Sequence, residues 1–150
     1  MKFVCLRDHT QLADSAAAWF SEKWGLDYEL YRQSIEQCLK QSTSVPQWYV
    51  MLEQDAIIAG AGIIENDFHP QKQITPNLCA LFVEAAWRKQ GVASLLLQKI
   101  RHDCAQLKIP ELFLLTEHTE FYERCGWTQL TVILDNENRP MRVYTAPCLP

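Results

Sequence analysis

The sequence predicts one domain of the α/β (α+β) class, with helices flanking a mixed, partly antiparallel central sheet. Three observations lead to this fold class. Strand and helix patterns follow one another in the mixed order β, α, α, β, β, β, α, β, α, β, β. One short unbroken apolar run, residues 78–83, is typical of a strand covered on both faces. The 150 residues are enough to bury one core and show no internal repeat or linker, so we expect a single domain over residues 1–150.

The first part of the chain contains the patterns of one strand and two helices. Residues 2–7 are typical of a short strand. Thr10 is placed to cap a first helix that ends before Gly25. Asp27 is placed to cap a second helix that continues to about Gln41.

The middle of the chain contains a predicted hairpin and a loop. Residues 47–53 and 56–65 are β-rich runs joined by a tight turn at Gln54 and Asp55. Residues 66–76 are polar and include two prolines, which indicates a loop that leads into the central strand.

The last part of the chain returns to helix and then to strands. Apolar residues from Val92 to Leu107 recur every three or four positions, which is one stripe of a helix. The remaining predicted elements are a strand over 111–116, a short helix around 120–125 and a closing hairpin of 128–134 and 139–146.

The turn that joins the central strand to this helix reads Arg88-Lys89-Gln90-Gly91-Val92-Ala93. The first N–H groups of a helix have no partner inside the helix and lie at the positive end of its dipole. Gly91 tolerates unusual backbone angles and leaves room for a ligand. Such a basic turn suits a phosphate or pyrophosphate, although it could also be an ordinary connection between a strand and a helix. It is not a nucleotide P-loop, and Gly60-Ala61-Gly62 does not complete a dinucleotide-binding fingerprint.

Two motifs resemble those of one enzyme family. The R-K-Q-G-V-A turn after an apolar strand is similar to the R/Q-x-x-G-x-G/A motif of the GNAT superfamily of acyl-CoA-dependent N-acetyltransferases. Residues 121–127, F-Y-E-R-C-G-W, are similar to the F-Y-x-x-x-G-F/W ending of such domains, and the two motifs occur in the family's order. The resemblance implies a GNAT-like fold, acetyl-CoA as cosubstrate and no metal.

The resemblance also implies where the cosubstrate binds. The backbone of the central strand would pair with the pantetheine arm and supply an oxyanion donor, and the turn would hold the pyrophosphate. The implied cofactor-binding residues are Leu81, Phe82, Val83, Arg88, Lys89, Gln90, Gly91, Val92, Ala93 and Ser94.

Three side chains are candidates for proton transfer. A Lys-like amine has a pKa of about 10.4, so its deprotonation at pH 7 adds about 4.6 kcal/mol to the barrier and calls for a base. Glu117 or His118 is the candidate base, because both follow the predicted fifth core strand. By resemblance, Tyr122 is the general acid toward the departing thiolate.

The acceptor is expected to be a primary amine. Glu65, Asp67 and His69 crowd the end of the third strand and the following loop, where they could form an anionic wall for an ammonium group. A small-molecule amine (polyamine, aminoglycoside or amino-acid-like) is preferred over a protein N-terminus or lysine. The alternative is a non-catalytic acyl-CoA-binding regulatory module.

Composition limits the partners and the compartment. A net charge of −4 argues against wrapping nucleic acid, and no apolar run reaches membrane-spanning length. The six scattered cysteines show no metal-binding spacing and suit reduced thiols in the cytoplasm, and the start of the chain turns polar too soon for a signal peptide. A homodimer is a further possibility that the resemblance implies.

Overall fold

The computed structural model describes residues 1–149 and contains one seven-stranded sheet in the order β1-β2-β3-β4-β5-β7-β6. Only β4 and β5 run parallel; every other neighbouring pair is antiparallel. The predicted fold class, a mixed and partly antiparallel sheet flanked by helices, is therefore confirmed. The strands are β1 (Lys2–Cys5), β2 (Gln47–Glu53), β3 (Ala56–Ile64), β4 (Asn77–Val83), β5 (Glu111–Thr116), β6 (Thr128–Leu134) and β7 (Pro140–Pro147).

Four α-helices accompany the sheet: α1 (Ala13–Trp24), α2 (Tyr28–Lys40), α3 (Val92–Gln106) and α4 (Phe121–Arg124). Asp27 caps α2 as predicted, because its side chain accepts a hydrogen bond of 3.3 Å from the Glu29 N–H. The prediction that Thr10 caps α1 is wrong: Thr10–Leu12 form a 3-10 turn, and α1 begins after Leu12 without a side-chain cap. Because this 3-10 turn precedes the α-helix, the N-cap residue of α1 is Leu12 and not Thr10.

The predicted strand boundaries need small corrections. β1 ends at Cys5 because Leu6–Asp8 form a 3-10 turn. β3 ends at Ile64, so Glu65 lies outside the strand. β4 is buried only in its first three residues, which corrects the prediction of a strand covered along its whole length on both faces. The second half of β4, from Ala80 to Val83, is half-buried.

The two faces of the sheet have separate cores. One core packs α3 against the sheet through apolar residues such as Leu96, Ile100 and Tyr144. The other core packs α1 and α2, with Phe20, Trp48 and other aromatic side chains, against the opposite face. Gly60-Ala61-Gly62 serves this packing, since a Cβ on either glycine would lie within 3 Å of these ring atoms.

A polar network joins the 3-10 turn after β1 to β2 and α3. Arg7 donates two hydrogen bonds to the Asp103 carboxylate, at 2.8 and 2.6 Å, and a third to Gln47 at 2.9 Å. The Tyr49 hydroxyl donates to the same carboxylate at 2.8 Å. Both charged partners are 13% exposed, so this is a largely buried ion pair whose donors and acceptors are satisfied.

Candidate active site

The central cleft forms where β4 and β5 separate. The only paired residues between these strands are Asn77 and Phe113, so beyond this point the β5-facing edge of β4 is open. On the other edge, Gly62 pairs with Cys79 and Gly60 with Phe82, which leaves two β4 residues opposite a single β3 residue. This arrangement, in which two residues face one, is a β-bulge.

The bulge consists of Ala80 and Leu81. Ala80 has a φ of +56°, in the left-handed region that non-glycine residues rarely adopt. As a consequence Cys79 and Ala80 both face α1 and α2, whereas Leu81 faces α3. The indole N–H of Trp24, the last residue of α1, donates to the Ala80 carbonyl at 3.1 Å. No local sequence pattern predicts this contact, because it joins residues 56 positions apart.

The turn before α3 presents unpaired backbone donors. Gly91 is the N-cap of α3 with a φ of +79°, and Lys89 also has a positive φ of +62°. Within residues 1–149, no acceptor is found for the backbone N–H groups of residues 89–94. A Cβ at Gly91 would meet no atom within 4 Å, so the space in front of these N–H groups is open. The turn therefore fits a pyrophosphate group.

Charged side chains surround Phe82 at the end of β4. The Arg88 guanidinium lies 5.2 Å from the Phe82 ring centroid and donates through Nε to the Val83 carbonyl at 2.9 Å. Lys23 lies 5.7 Å from the same ring and pairs with Glu84 at 2.6 Å. This hydrogen bond from Lys23 lowers the pKa of Glu84. These contacts hold the end of α1 against the end of β4.

Tyr122 lies at the start of α4 and packs against the α3-side core. Its ring contacts Phe121, Trp127 and Tyr144, at centroid distances of 5.0, 6.2 and 5.9 Å. Burial raises the pKa of Tyr122 to about 12, so the phenol is protonated at neutral pH. Its hydroxyl bonds to none of the described residues and stays available to a ligand.

The loop between β3 and β4 is ordered around Asn77. The Asn77 side-chain oxygen accepts from the Asp67 N–H at 2.9 Å and contacts His69 Nε2 at 2.8 Å. His69 Nδ1 accepts from the Gln71 N–H at 3.1 Å, so the proton of the neutral ring is on Nε2. His69 is 3% exposed with both ring nitrogens engaged. It supports the loop and has no free atom for an acceptor.

Asp67 is the one predicted acceptor residue whose carboxylate is both shielded and unpartnered. None of the described residues donates a hydrogen bond to it or pairs with it, and burial raises its pKa. After burial, the Asp67 charge is among the causes that raise the pKa of Tyr31 to about 12 and the pKa of Cys79 well above its usual value. The hydrogen bond from its backbone N–H to Asn77 holds Asp67 beside the start of β4. Glu65 is exposed, with its side chain in solvent.

The two candidate bases lie directly after β5. Glu117 and His118 are exposed residues just after β5, and the His118 N–H donates to the Thr116 hydroxyl at 3.0 Å. The β6–β7 turn contacts the loop between β3 and β4, because the Asn136 N–H donates to the Phe68 carbonyl at 2.9 Å.

Two features are absent from residues 1–149. No helix there is both long and apolar enough to cross a membrane. No group of three or more His, Cys, Asp or Glu side chains in this part of the chain could hold a metal ion.

Comparison with known proteins identifies the family. A sequence model described as "Acetyltransferase (GNAT) domain" matches residues 45–129, more than half of the chain. Among curated proteins, none is similar enough in sequence to count as a relative.

Solved structures share the fold over the whole chain. An aminoglycoside 6'-N-acetyltransferase complexed with coenzyme A superimposes with a TM-score of 0.74 at 18% identity, covering 100% of this chain and 98% of that one. The aminoglycoside 6'-N-acetyltransferase from Enterococcus faecium gives 0.74 at 19% identity, covering 100% and 98%. A mutant of the spermidine N-acetyltransferase SpeG from Vibrio cholerae gives 0.69 at 9% identity, covering 98% and 95%.

The family match agrees with the geometry: a bulged strand that separates from its neighbour, and a helix N-terminus with free donors beside it. Both features fit acetyl-CoA as the cosubstrate. The chain therefore belongs to the GNAT family of acetyl-CoA-dependent acetyltransferases.

Proposed function

We propose that this enzyme transfers the acetyl group of acetyl-CoA to the primary amine of a small cationic molecule. The candidate classes are polyamines, aminoglycosides and amino-acid-like amines, ahead of a protein N-terminus or lysine. The observation that carries the proposal is the unpartnered, half-buried Asp67 carboxylate beside the start of β4. A half-buried carboxylate without a cation of its own attracts an ammonium group. Solved acetyltransferases of aminoglycosides and of spermidine share the fold, which supports this class of acceptor.

The proposed reaction is direct attack. The amine nitrogen forms a bond to the thioester carbon, the carbon–sulfur bond breaks, and coenzyme A leaves as thiolate. The amine proton passes to the Asp67 carboxylate, whose raised pKa makes it a better base than an ordinary aspartate. Glu117 and His118 remain rival predictions for this base. Leu81 to Val83 supply the backbone donors for the developing oxyanion.

Tyr122 is proposed to act on the leaving thiolate. With a pKa of about 12, its phenol is a weak acid. Complete proton transfer to a thiolate with a Cys-like pKa of about 8.5 is uphill by about 5 kcal/mol. Tyr122 therefore stabilises the thiolate by donating a hydrogen bond, and the proton that neutralises the thiolate comes from solvent.

The cosubstrate is proposed to bind with its pyrophosphate on the 88–94 turn and its pantetheine arm along β4. Six free cysteines support a reducing compartment, and the cytoplasm is the compartment that we propose. A homodimer would form at the open edge of the sheet, where Leu130, Val132 and Leu134 of β6 are each more than half exposed. Light scattering during size-exclusion chromatography measures this.

The first experiment measures thiol release from acetyl-CoA with a panel of polyamines, aminoglycosides, amino acids and short peptides. Coenzyme A binding is measured in parallel. Acceptor-dependent release with a small cationic amine supports the proposal. Release only with peptides moves the acceptor to a protein, and tight binding without release across the panel favours the non-catalytic module.

A matched pair of variants tests the pyrophosphate seat. Gly91→Glu places a carboxylate in front of the free N–H groups, and we expect coenzyme A binding to be lost. Gly25→Glu is the control, because Gly25 also has a positive φ, of +67°, and open space around its Cβ, but it lies at the end of α1. If both variants bound coenzyme A with equal affinity, the proposal that the pyrophosphate binds at this turn would be wrong.

A further inference from the structure

The bulge carbonyl and the expected oxyanion donor belong to one peptide group. The peptide that joins Ala80 to Leu81 contains the Ala80 carbonyl and the Leu81 N–H. Peptide groups are planar and trans, so these two bonds point in opposite directions. Trp24 holds the Ala80 carbonyl through a hydrogen bond of 3.1 Å. Rotation of this peptide would break that bond, so the indole also fixes the direction of the Leu81 N–H, away from Trp24.

The bulge is the place in β4 where such control is needed. In a regular strand, neighbouring strands fix every peptide on both sides. Neither Ala80 nor Leu81 has a partner residue on β3, and β5 pairs with β4 only at Asn77. The positive φ of Ala80 adds backbone strain that surrounding contacts have to hold. Trp24 supplies such a contact from the end of α1.

The hydrogen bond also changes the strength of the donor. An N–H group donates more strongly when the carbonyl of the same peptide already accepts a hydrogen bond, because the two bonds polarise one another. Trp24 is 44% exposed, and its ring packs edge-on against Phe82 with centroids 6.1 Å apart. The indole is therefore held by β4 itself and not by the core beneath α1.

We propose that Trp24 is a positioning residue for the acetyl-transfer reaction: its indole N–H fixes and polarises the bulge peptide so that the Leu81 N–H donates to the thioester oxygen. This inference rests on the proposed role of the β4 backbone as oxyanion donor. Among the predicted backbone donors, Leu81 to Val83, it identifies the Leu81 N–H as the oxyanion donor.

The test is isotope-edited infrared difference spectroscopy of acetyl-CoA labelled with carbon-13 at the thioester carbonyl. Hydrogen bonding to the carbonyl oxygen lowers its stretching frequency, and no acceptor amine is needed. We expect the wild-type enzyme to lower the band relative to free acetyl-CoA, and Trp24→Phe to lose at least the roughly 10–30% of that shift that polarisation by one hydrogen bond supplies. With an accepted amine, kcat falls about 10-fold, less than the 10²–10³-fold that removal of a whole donor costs.

Trp19→Phe is the matched control. Trp19 is also in α1 and also donates through its indole, but to the Glu84 carboxylate at 2.8 Å. The Trp19→Phe variant should leave the thioester carbonyl band at its wild-type frequency. A variant carrying 3-benzothienylalanine at position 24 keeps the bicyclic shape with sulfur in place of the N–H, and it replaces Trp24→Phe if that variant fails to fold.

The outcomes separate the two levels of inference. A full band shift in the variants lacking the Trp24 N–H overturns the role of Trp24 while the backbone donor stands. A wild-type enzyme that binds acetyl-CoA without any band shift overturns the backbone donor as well. Loss of the shift in Trp24→Phe alone, with Trp19→Phe unchanged, supports the proposal.

Discussion

Asp103 on α3 and Asp67 in the loop before β4 are both aspartates withdrawn from water, and the protein surrounds them differently. Asp103 accepts two hydrogen bonds from Arg7 and one from Tyr49. Asp67 accepts none from the described residues, although its own backbone N–H is bound by Asn77. The loop thus fixes the position of Asp67 and leaves its carboxylate free.

The two environments shift the pKa in opposite directions. Burial by itself raises the pKa of Asp103, but the hydrogen bonds from Arg7 and Tyr49 outweigh it, and the net pKa is lowered. At Asp67 burial raises the pKa, and the small opposing effect of His69 does not cancel it. A carboxylate whose hydrogen bonds are satisfied therefore stabilises the folded protein. A carboxylate that is shielded from water without a partner destabilises the folded protein, and a bound cation can relieve that destabilisation.

The largest effect is expected from Asp103→Asn. The substitution keeps the shape but leaves the Arg7 guanidinium, whose side chain is 13% exposed, without its counter-ion. Breaking such a pair from one side costs about 3 kcal/mol. Urea denaturation at pH 7 measures the free energy of unfolding, with acetyl-CoA affinity of the folded fraction as the control. A loss below about 1 kcal/mol would mean that the pair behaves as a surface salt bridge.

The same substitution at Asp67 is expected to affect rate instead of stability. Removing a general base costs about 10²–10⁴ in rate, and we expect Asp67→Asn to lower kcat by about 10² with coenzyme A affinity unchanged. Glu117→Gln and His118→Gln are the matched variants, because they test the rival bases. If either of these lowers kcat as much and Asp67→Asn does not, the base lies on the β5 side of the cleft.

Tyr122→Phe should have a smaller effect than Asp67→Asn. It removes one hydrogen bond to a charged sulfur, worth about 1.5–3 kcal/mol, so kcat falls about 10- to 100-fold while coenzyme A affinity stays nearly the same. Tyr144→Phe is the control: its hydroxyl donates to Glu123 at 2.9 Å, so this variant should lose stability and keep kcat. An unchanged rate in Tyr122→Phe would remove Tyr122 from the reaction.

Most of the fold could be predicted from the sequence because its signals are local. The apolar stripe of α3 and the glycine at its N-cap lie within one segment, and α3 begins at Val92 as predicted. Asp27 caps α2 two residues away from the N–H that it binds. Thr10 failed as a cap because a 3-10 turn starting at the same residue competes with the helix start.

The parts that escaped prediction depend on contacts between distant residues. Arg7 and Asp103 are 96 positions apart, and neither residue type at its position indicates an ion pair. The free carboxylate of Asp67 was visible only as one of three polar residues in a loop. The structure separates the three, because His69 is buried in the Asn77 network and Glu65 is in solvent.

The smallest expected effect is the pH dependence of stability, which distinguishes Asp103 from Asp67. Asp103 has a depressed pKa in the folded protein, so its stabilisation is present above the unfolded value of about 3.9 and is lost as pH falls through the folded pKa. Asp67 has a raised pKa, so its charge destabilises the folded protein as pH rises through that pKa, and below about pH 3.9 the difference vanishes.

Asp67→Asn should therefore be slightly more stable than wild type at pH 7, by less than about 1 kcal/mol because the side chain is only half-buried. Asp103→Asn should move toward wild-type stability as pH falls. Thermal melts of the three proteins from pH 3 to pH 8 measure both trends. If Asp67→Asn lost stability at pH 7, the carboxylate would have a partner in the folded protein, and its availability to an ammonium group would be refuted. A gain that appears only above the ordinary pKa of aspartate ties the cost of this acid to its charge, which is the property that the acceptor would use.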